Sequence, residues 1–139
     1  MKKLGIGVLG VGEMGRRHAE NLRRLVPEAW VVAVADAAAE RARKVAEELE
    51  IENSYGDLEA MLQNKDLQAV LIATPDKFHA EAIGIAARAG KDILCEKPLA
   101  LNIADARAAL EAVDEMRGRL RHRHDIVDHD LFLGGEAEG

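Results

Sequence analysis

Aromatic side chains are scarce in this chain: one tryptophan, one tyrosine and two phenylalanines, 3% of its 139 residues. Basic residues are outnumbered by acidic ones, 19 to 25, giving a net charge of −6. A nucleic-acid binder needs a basic face and rings on which bases can stack. Neither is present, so no nucleic-acid partner is expected. Long apolar runs are missing as well. None approaches the ~20 residues a helix needs to cross a bilayer, and the amino terminus leads directly into the first apolar segment, without a signal-peptide pattern. No membrane partner is expected. The single cysteine, Cys95, can form no internal disulfide, which fits a reducing, cytoplasmic compartment. Its simplest role is that of a small buried side chain at a strand end.

What is present is a regular alternation of short apolar runs with helix-forming stretches. The apolar runs are Leu4–Leu9, Trp30–Ala35, the short Asn53–Tyr55, Leu67–Ala73 and Asp92–Cys95. Between them lie helical stretches from Arg16 to Leu25, from Ala38 to Leu49, from Leu58 to Leu62 and from Lys77 to Ala89. A last helix is expected from Asn102 to about Met116, with Asp105 completing a capping box. Asp57 and Asp76 are expected helix caps, and Gly90 a helix stop. Strands that are continuously apolar and separated by helices form a parallel sheet covered on both faces. The predicted fold class is therefore α/β, a doubly wound parallel sheet, and 139 residues suffice for one such core.

The stretch Gly10-Val-Gly12-Glu-Met-Gly15 stands between the first strand and the first helix. The second strand ends in a carboxylate, Asp36, roughly 20 residues beyond Gly15, the spacing of a dinucleotide-binding fingerprint. Gly10 permits the turn, Gly12 leaves room for a pyrophosphate, and Gly15 lets helix and strand approach closely. Glu13 and Met14, between the glycines, fall at the helix N-terminus, whose unpaired N–H groups hold phosphate. Asp36 is placed to accept from the adenosine ribose hydroxyls and to repel a 2′-phosphate. Ala37-Ala-Ala39 follow, with no arginine beside it, so NAD is favoured over NADP.

In such a sheet the ligand sits beyond the carboxyl ends of the strands, where strand order reverses. That rule also selects Thr74-Pro75-Asp76 after the fourth strand and Glu96-Lys97-Pro98 after the fifth. Glu96 and Lys97 put opposite charges where the reactive end of a dinucleotide would lie; an exposed ion pair in a turn is the simpler alternative. The chain reversal at Pro98 is expected to use a cis Lys97–Pro98 bond.

Three segments together resemble one family: Gly10 to Ala19, Ile72 to Pro75 with His79-Ala-Glu81, and Ala89 to Ala100 with its Glu-Lys-Pro element. They resemble the N-terminal domain of the Gfo/Idh/MocA oxidoreductases, a family that includes glucose–fructose oxidoreductase and inositol 2-dehydrogenase. The resemblance implies a Rossmann domain binding NAD or NADP, with Lys97 near the nicotinamide and the substrate hydroxyl. It implies that Glu96, Thr74 and Pro75 line the cofactor, with His79 packed beneath the cofactor loop. The chemistry it implies is hydride transfer between nicotinamide and a hydroxyl of a sugar, cyclitol or similar polyol. Association into homo-oligomers is common in the family.

The resemblance covers residues 1 to about 116, and the expected division is a Rossmann domain over 1–118 and a polar tail over 119–139. Family members continue with a sixth strand and an α/β substrate domain that carries an Asp and a catalytic His. Here Arg117 to His124 place charges at nearly every position, a poor buried strand, and the remainder to Gly139 is too short for a domain. The substrate domain is therefore expected to be missing, through truncation, a frameshifted end or a natural half-protein. His122, His124 and His129, with Asp125, Asp128 and Asp130, have ligand chemistry but no apolar framework to fix a coordination shell. A solvated tail is the expectation there, and no metal site. A chain of this kind is expected to lack turnover by itself. The alternative function is a non-catalytic NAD-binding or partner-docking module.

Overall fold

A computed structural model describes residues 3–95, 107 and 110–113. Five strands, β1 (Leu4–Leu9), β2 (Ala29–Ala35), β3 (Asn53–Tyr55), β4 (Ala69–Ile72) and β5 (Asp92–Cys95), form one sheet. Every neighbouring pair is parallel, in the order β3-β2-β1-β4-β5. The chain winds outward from β1 to β3, then crosses back to place β4 on the other side of β1. Strand order therefore reverses between β1 and β4, and a crevice opens there beyond their carboxyl ends.

Helices α1 (Glu13–Leu25), α2 (Ala39–Leu49), α3 (Leu58–Met61) and α4 (His79–Arg88) carry the connections. Their apolar residues bury two cores, one on each face of the sheet. Ala19 of α1 and Val45 and Leu49 of α2 pack with Val8, Val31 and Val34. On the opposite face Met61, Ile83 and Ala86 pack with Val32, Val70, Ile93 and Cys95. Ala112 and Val113, at the described end of the last helix, close that second core. Cys95 is 1% exposed, a buried strand-end side chain as expected. Among the described residues no helix is long and apolar enough to cross a membrane.

Most elements fall where the residue pattern puts them, and the differences have local causes. Helix α1 begins at Glu13 rather than Arg16, so Gly15 lies inside its first turn. Asp57 caps α3 as expected, accepting from the Ala60 N–H at 2.7 Å. Gly90 takes φ 77°, and Lys91 N–H returns to Ala86 O, closing α4 as a glycine stop should.

Asp76 is not a helix cap. Pro75 holds an extended ψ of 149°, and the Phe78 N–H closes back onto its carbonyl at 2.9 Å. This makes a 3-10 turn over Asp76–Phe78, and α4 starts only at His79. The Asn102 and Asp105 caps, the Lys97–Pro98 bond and the histidine-bearing tail lie outside the described residues. Residues 107 and 110–113 are helical.

Candidate functional site

The crevice at the strand reversal is a cavity of about 900 Å³. Its floor and walls come from the loops after β1, β2, β3 and β4 and from one face of α4. The first loop supplies Gly10, Gly12, Glu13 and Met14, the second Asp36, Ala37, Ala38 and Arg41. Thr74, Pro75 and Phe78 form the wall after β4. A smaller concavity of about 620 Å³ lies at the amino ends of β1 and β2, between Lys3, Trp30 and the Arg23–Glu50 ion pair. It has neither a glycine turn nor a helix N-terminus, so the reversal crevice is the site with binding chemistry.

Backbone geometry explains two of the glycines. Gly10 has φ 91°, and a Cβ there would come within 2.9 Å of the Ala73 carbonyl and the Thr74 nitrogen. A Cβ on Gly15 would lie 1.7 Å from the Gly10 carbonyl oxygen, so α1 packs backbone against backbone on the β1 turn. Gly12 differs. A Cβ there would meet only the Arg41 Nη1, at 3.5 Å, so the space above it is open. No side chain caps α1 at Gly12, and the first N–H groups of a helix have no intrahelical acceptor. A cradle of this shape fits a pyrophosphate.

Asp36 occupies a position more committed than its expected role required. Its Oδ2 accepts from the Val11 N–H at 2.9 Å and its Oδ1 from the Ala38 N–H at 2.8 Å. The residue is only 9% exposed. It thus ties the β1 turn to the β2 turn, and each carboxylate oxygen retains a lone pair for a ribose hydroxyl. The expectation of no arginine beside Asp36 needs correction. Within the first turn of α2, Arg41 lines the crevice and its Nε lies 3.8 Å from Asp36 Oδ1. It lies five positions past Asp36, beyond the adjacent Ala37–Ala39, and the start of α2 brings it back toward the carboxylate.

On the β4 side the Thr74 Oγ1 is buried without a hydrogen-bond partner among the described residues. An unpaired buried hydroxyl costs about 1–3 kcal/mol, a cost that a polar ligand group in the crevice would remove. His79 does not line the crevice. It is 1% exposed, beneath the loop, with Nε2 2.9 Å from the Thr74 carbonyl oxygen and 4.0 Å from Asp76 Oδ1. Its reach to the crevice is therefore through the Thr74–Pro75 backbone it holds.

Gly10, Gly12, Glu13, Met14, Asp36, Thr74 and Pro75 are thus brought to one cavity, while Glu96 and Lys97 lie outside the described residues. Residue patterns missed Arg41 and Phe78. Phe78 is 44% exposed at the crevice wall, with Lys77 Nζ 5.2 Å from its ring centre. A rare aromatic directly after a Thr-Pro loop was the available signal.

Comparison with known proteins agrees with this geometry. A family profile, GFO_IDH_MocA, described as an oxidoreductase family with an NAD-binding Rossmann fold, matches residues 4–124. Myo-inositol 2-dehydrogenase of Thermotoga maritima is 37% identical over 106 residues, 76% of this chain and 31% of that protein. The scyllo-inositol 2-dehydrogenase (NAD(+)) of Bacillus subtilis is 44% identical over 108 residues, 78% of this chain and 32% of that protein. Among solved structures, scyllo-inositol dehydrogenase from Lactobacillus casei with bound NAD(H) and scyllo-inositol superposes with a TM-score of 0.78 at 29% identity. That alignment covers 84% of this chain and 34% of the other. The chain spans about a third of the length of the curated relatives it matches.

Proposed function

This chain belongs to the Gfo/Idh/MocA oxidoreductase family as its NAD-binding Rossmann domain, and from that premise we propose that it serves a dehydrogenase acting on a polyol. The observation that carries the reading is the open space over Gly12, framed by the N-terminus of α1 and by Asp36. Named relatives act on inositols, so the substrate class proposed is a cyclitol or sugar. The lone cysteine supports a reducing, cytoplasmic setting, and homo-oligomer formation is proposed from family habit.

When bound, NAD would supply hydride transfer at nicotinamide C4. The chain's own residues bind and orient. The α1 N-terminus holds the pyrophosphate, Asp36 the adenosine ribose, and Thr74, whose hydroxyl has no partner among the described residues, offers it to the cofactor. We assign to Lys97 the polarisation of the substrate oxygen and to Glu96 a place beside the cofactor, on the strength of their position just after β5.

Isothermal calorimetry tests the cofactor reading. NAD(H) is expected to bind, and NADP(H) at least about tenfold more weakly, a difference of ~1.4 kcal/mol. Equal affinity for the two would remove Asp36 from the ribose, and no binding of either would end the reading. In the same assay Lys97→Ala is expected to leave NAD affinity within a few-fold of the parent. The same change should abolish polyol turnover in a longer protein carrying this domain. A Lys97→Ala protein with undiminished turnover would contradict the assignment.

A further inference from the structure

We propose that the Met14 thioether is a site of peroxide oxidation, and that its sulfoxide closes this crevice to NAD. The proposal rests on the reading of the crevice as a dinucleotide site and adds a chemical control to it.

The described sulfur atoms differ sharply in their contact with solvent. Met61 is 0% exposed, and its Sδ packs 2.8 Å from where a Cβ on Gly7 would stand. Cys95 is 1% exposed in the same core. Met14, by contrast, is 47% exposed and lines the crevice. Among the described residues it is the one sulfur that a dissolved oxidant reaches without an opening of the fold. Met1 and Met116 lie outside the described residues.

Met14 also stands where a change of polarity bears on binding. It is the second residue of α1, and long helical side chains lean back toward the N-terminus of their helix. The first N–H groups there have no intrahelical acceptor, and no side chain caps the helix at Gly12. With hydrogen peroxide the sulfur forms an S–O bond as the peroxide O–O bond breaks. The thioether loses two electrons to become a sulfoxide, and the peroxide is reduced to water. A flexible apolar wall of the crevice thereby gains a polar acceptor oxygen. That oxygen competes with a pyrophosphate for the N–H groups of α1, and its bulk narrows the approach to Gly12. The coupling runs both ways, because a dinucleotide lying over the first turn of α1 covers the thioether.

Peroxide treatment of the whole chain, with and without saturating NAD, tests this by peptide mass spectrometry and calorimetry. Met14 is expected to convert to sulfoxide before Met61, and at least fivefold more slowly with NAD bound. The treated parent should bind NAD at least tenfold more weakly, and methionine sulfoxide reductases should restore its affinity. Met14→Leu retains Met1, Met61 and Met116 but lacks the exposed thioether. Its NAD affinity, judged against its own untreated value, should be unmoved by peroxide. If that variant binds NAD too weakly to measure, repair of the parent by the reductases decides. Four results would overturn the proposal: a Met14 that resists conversion, a sulfoxide formed without loss of affinity, no protection by NAD, or a loss that the reductases do not reverse. An equal loss in treated Met14→Leu would overturn it as well. An untreated parent that binds no NAD would overturn the reading of the crevice itself, and this proposal with it.

Discussion

Gly15→Ala is expected to lower folding stability by about 3 kcal/mol or more and to abolish NAD binding. The added methyl carbon would stand 1.7 Å from the Gly10 carbonyl oxygen and 2.8 Å from its carbon. Both are backbone atoms at a turn already held at φ 91°, so they cannot yield as a side-chain tip would. Helix α1 has to retreat from β1, opening the core around Ala19 and Val8 and moving its N-terminus off the phosphate path. Gly12→Ala makes the informative contrast. Its methyl meets only the half-exposed Arg41 side chain, Nη1 at 3.5 Å, so stability should stay within about 1 kcal/mol. NAD affinity should nevertheless fall at least tenfold, because the methyl fills the cradle. Urea denaturation of the two variants beside the parent reads the stabilities, and calorimetry with NAD reads the affinities. A Gly15→Ala protein as stable as the parent would show that α1 does not make this close approach.

Asp36→Ala is expected to act on fold and site together. It strips the acceptor from the Val11 N–H, whose residue is 2% exposed, and from the Ala38 N–H. Leaving the buried donor unpaired costs about 1–3 kcal/mol. NAD affinity should drop at least tenfold, ~1.4 kcal/mol, with the loss of the ribose acceptor. NADP should lose less, because a like charge leaves with the carboxylate, so the preference for NAD narrows. Asp36→Asn, which keeps one carbonyl oxygen, should recover part of the stability but little of the preference. Denaturation and calorimetry on the two variants separate these effects. Retention of the parent's full NAD preference in Asp36→Ala would place the ribose elsewhere.

Much of this architecture could be read from the residues because the signals were local. The Gly10–Gly15 turn, the Asp57 cap and the Gly90 stop each depend on a few neighbouring positions, and all three stand where the pattern put them. What escaped depends on longer reach. Glu50 ends α2 in the left-handed region at φ 58°, a place usually marked by glycine. There the Ile51 N–H returns to Ala46 O, and Arg23 pairs with the Glu50 carboxylate at 2.7 Å. Gly5 reads as an ordinary strand residue, yet a Cβ on it would lie 2.0 Å from the Asp66 carbonyl oxygen, brought in by the loop before β4. The Asp76 cap failed because the carbonyl of Pro75 closes a 3-10 turn first. Arg41 is not adjacent to Asp36 in sequence, and only the first turn of α2 brings its guanidinium to the carboxylate.

Amide-resolved NMR titration of the 15N-labelled chain with NAD tests the central claim most directly. Binding in the reversal crevice should move the amides of Val11, Gly12, Glu13, Met14, Ala37 and Ala38, leaving those of Lys3, Arg23 and Trp30 at the opposite end of the sheet in place. Shifts confined to the Trp30 concavity, or none at millimolar NAD, would contradict the assignment of the Gly10–Gly15 crevice as a dinucleotide site.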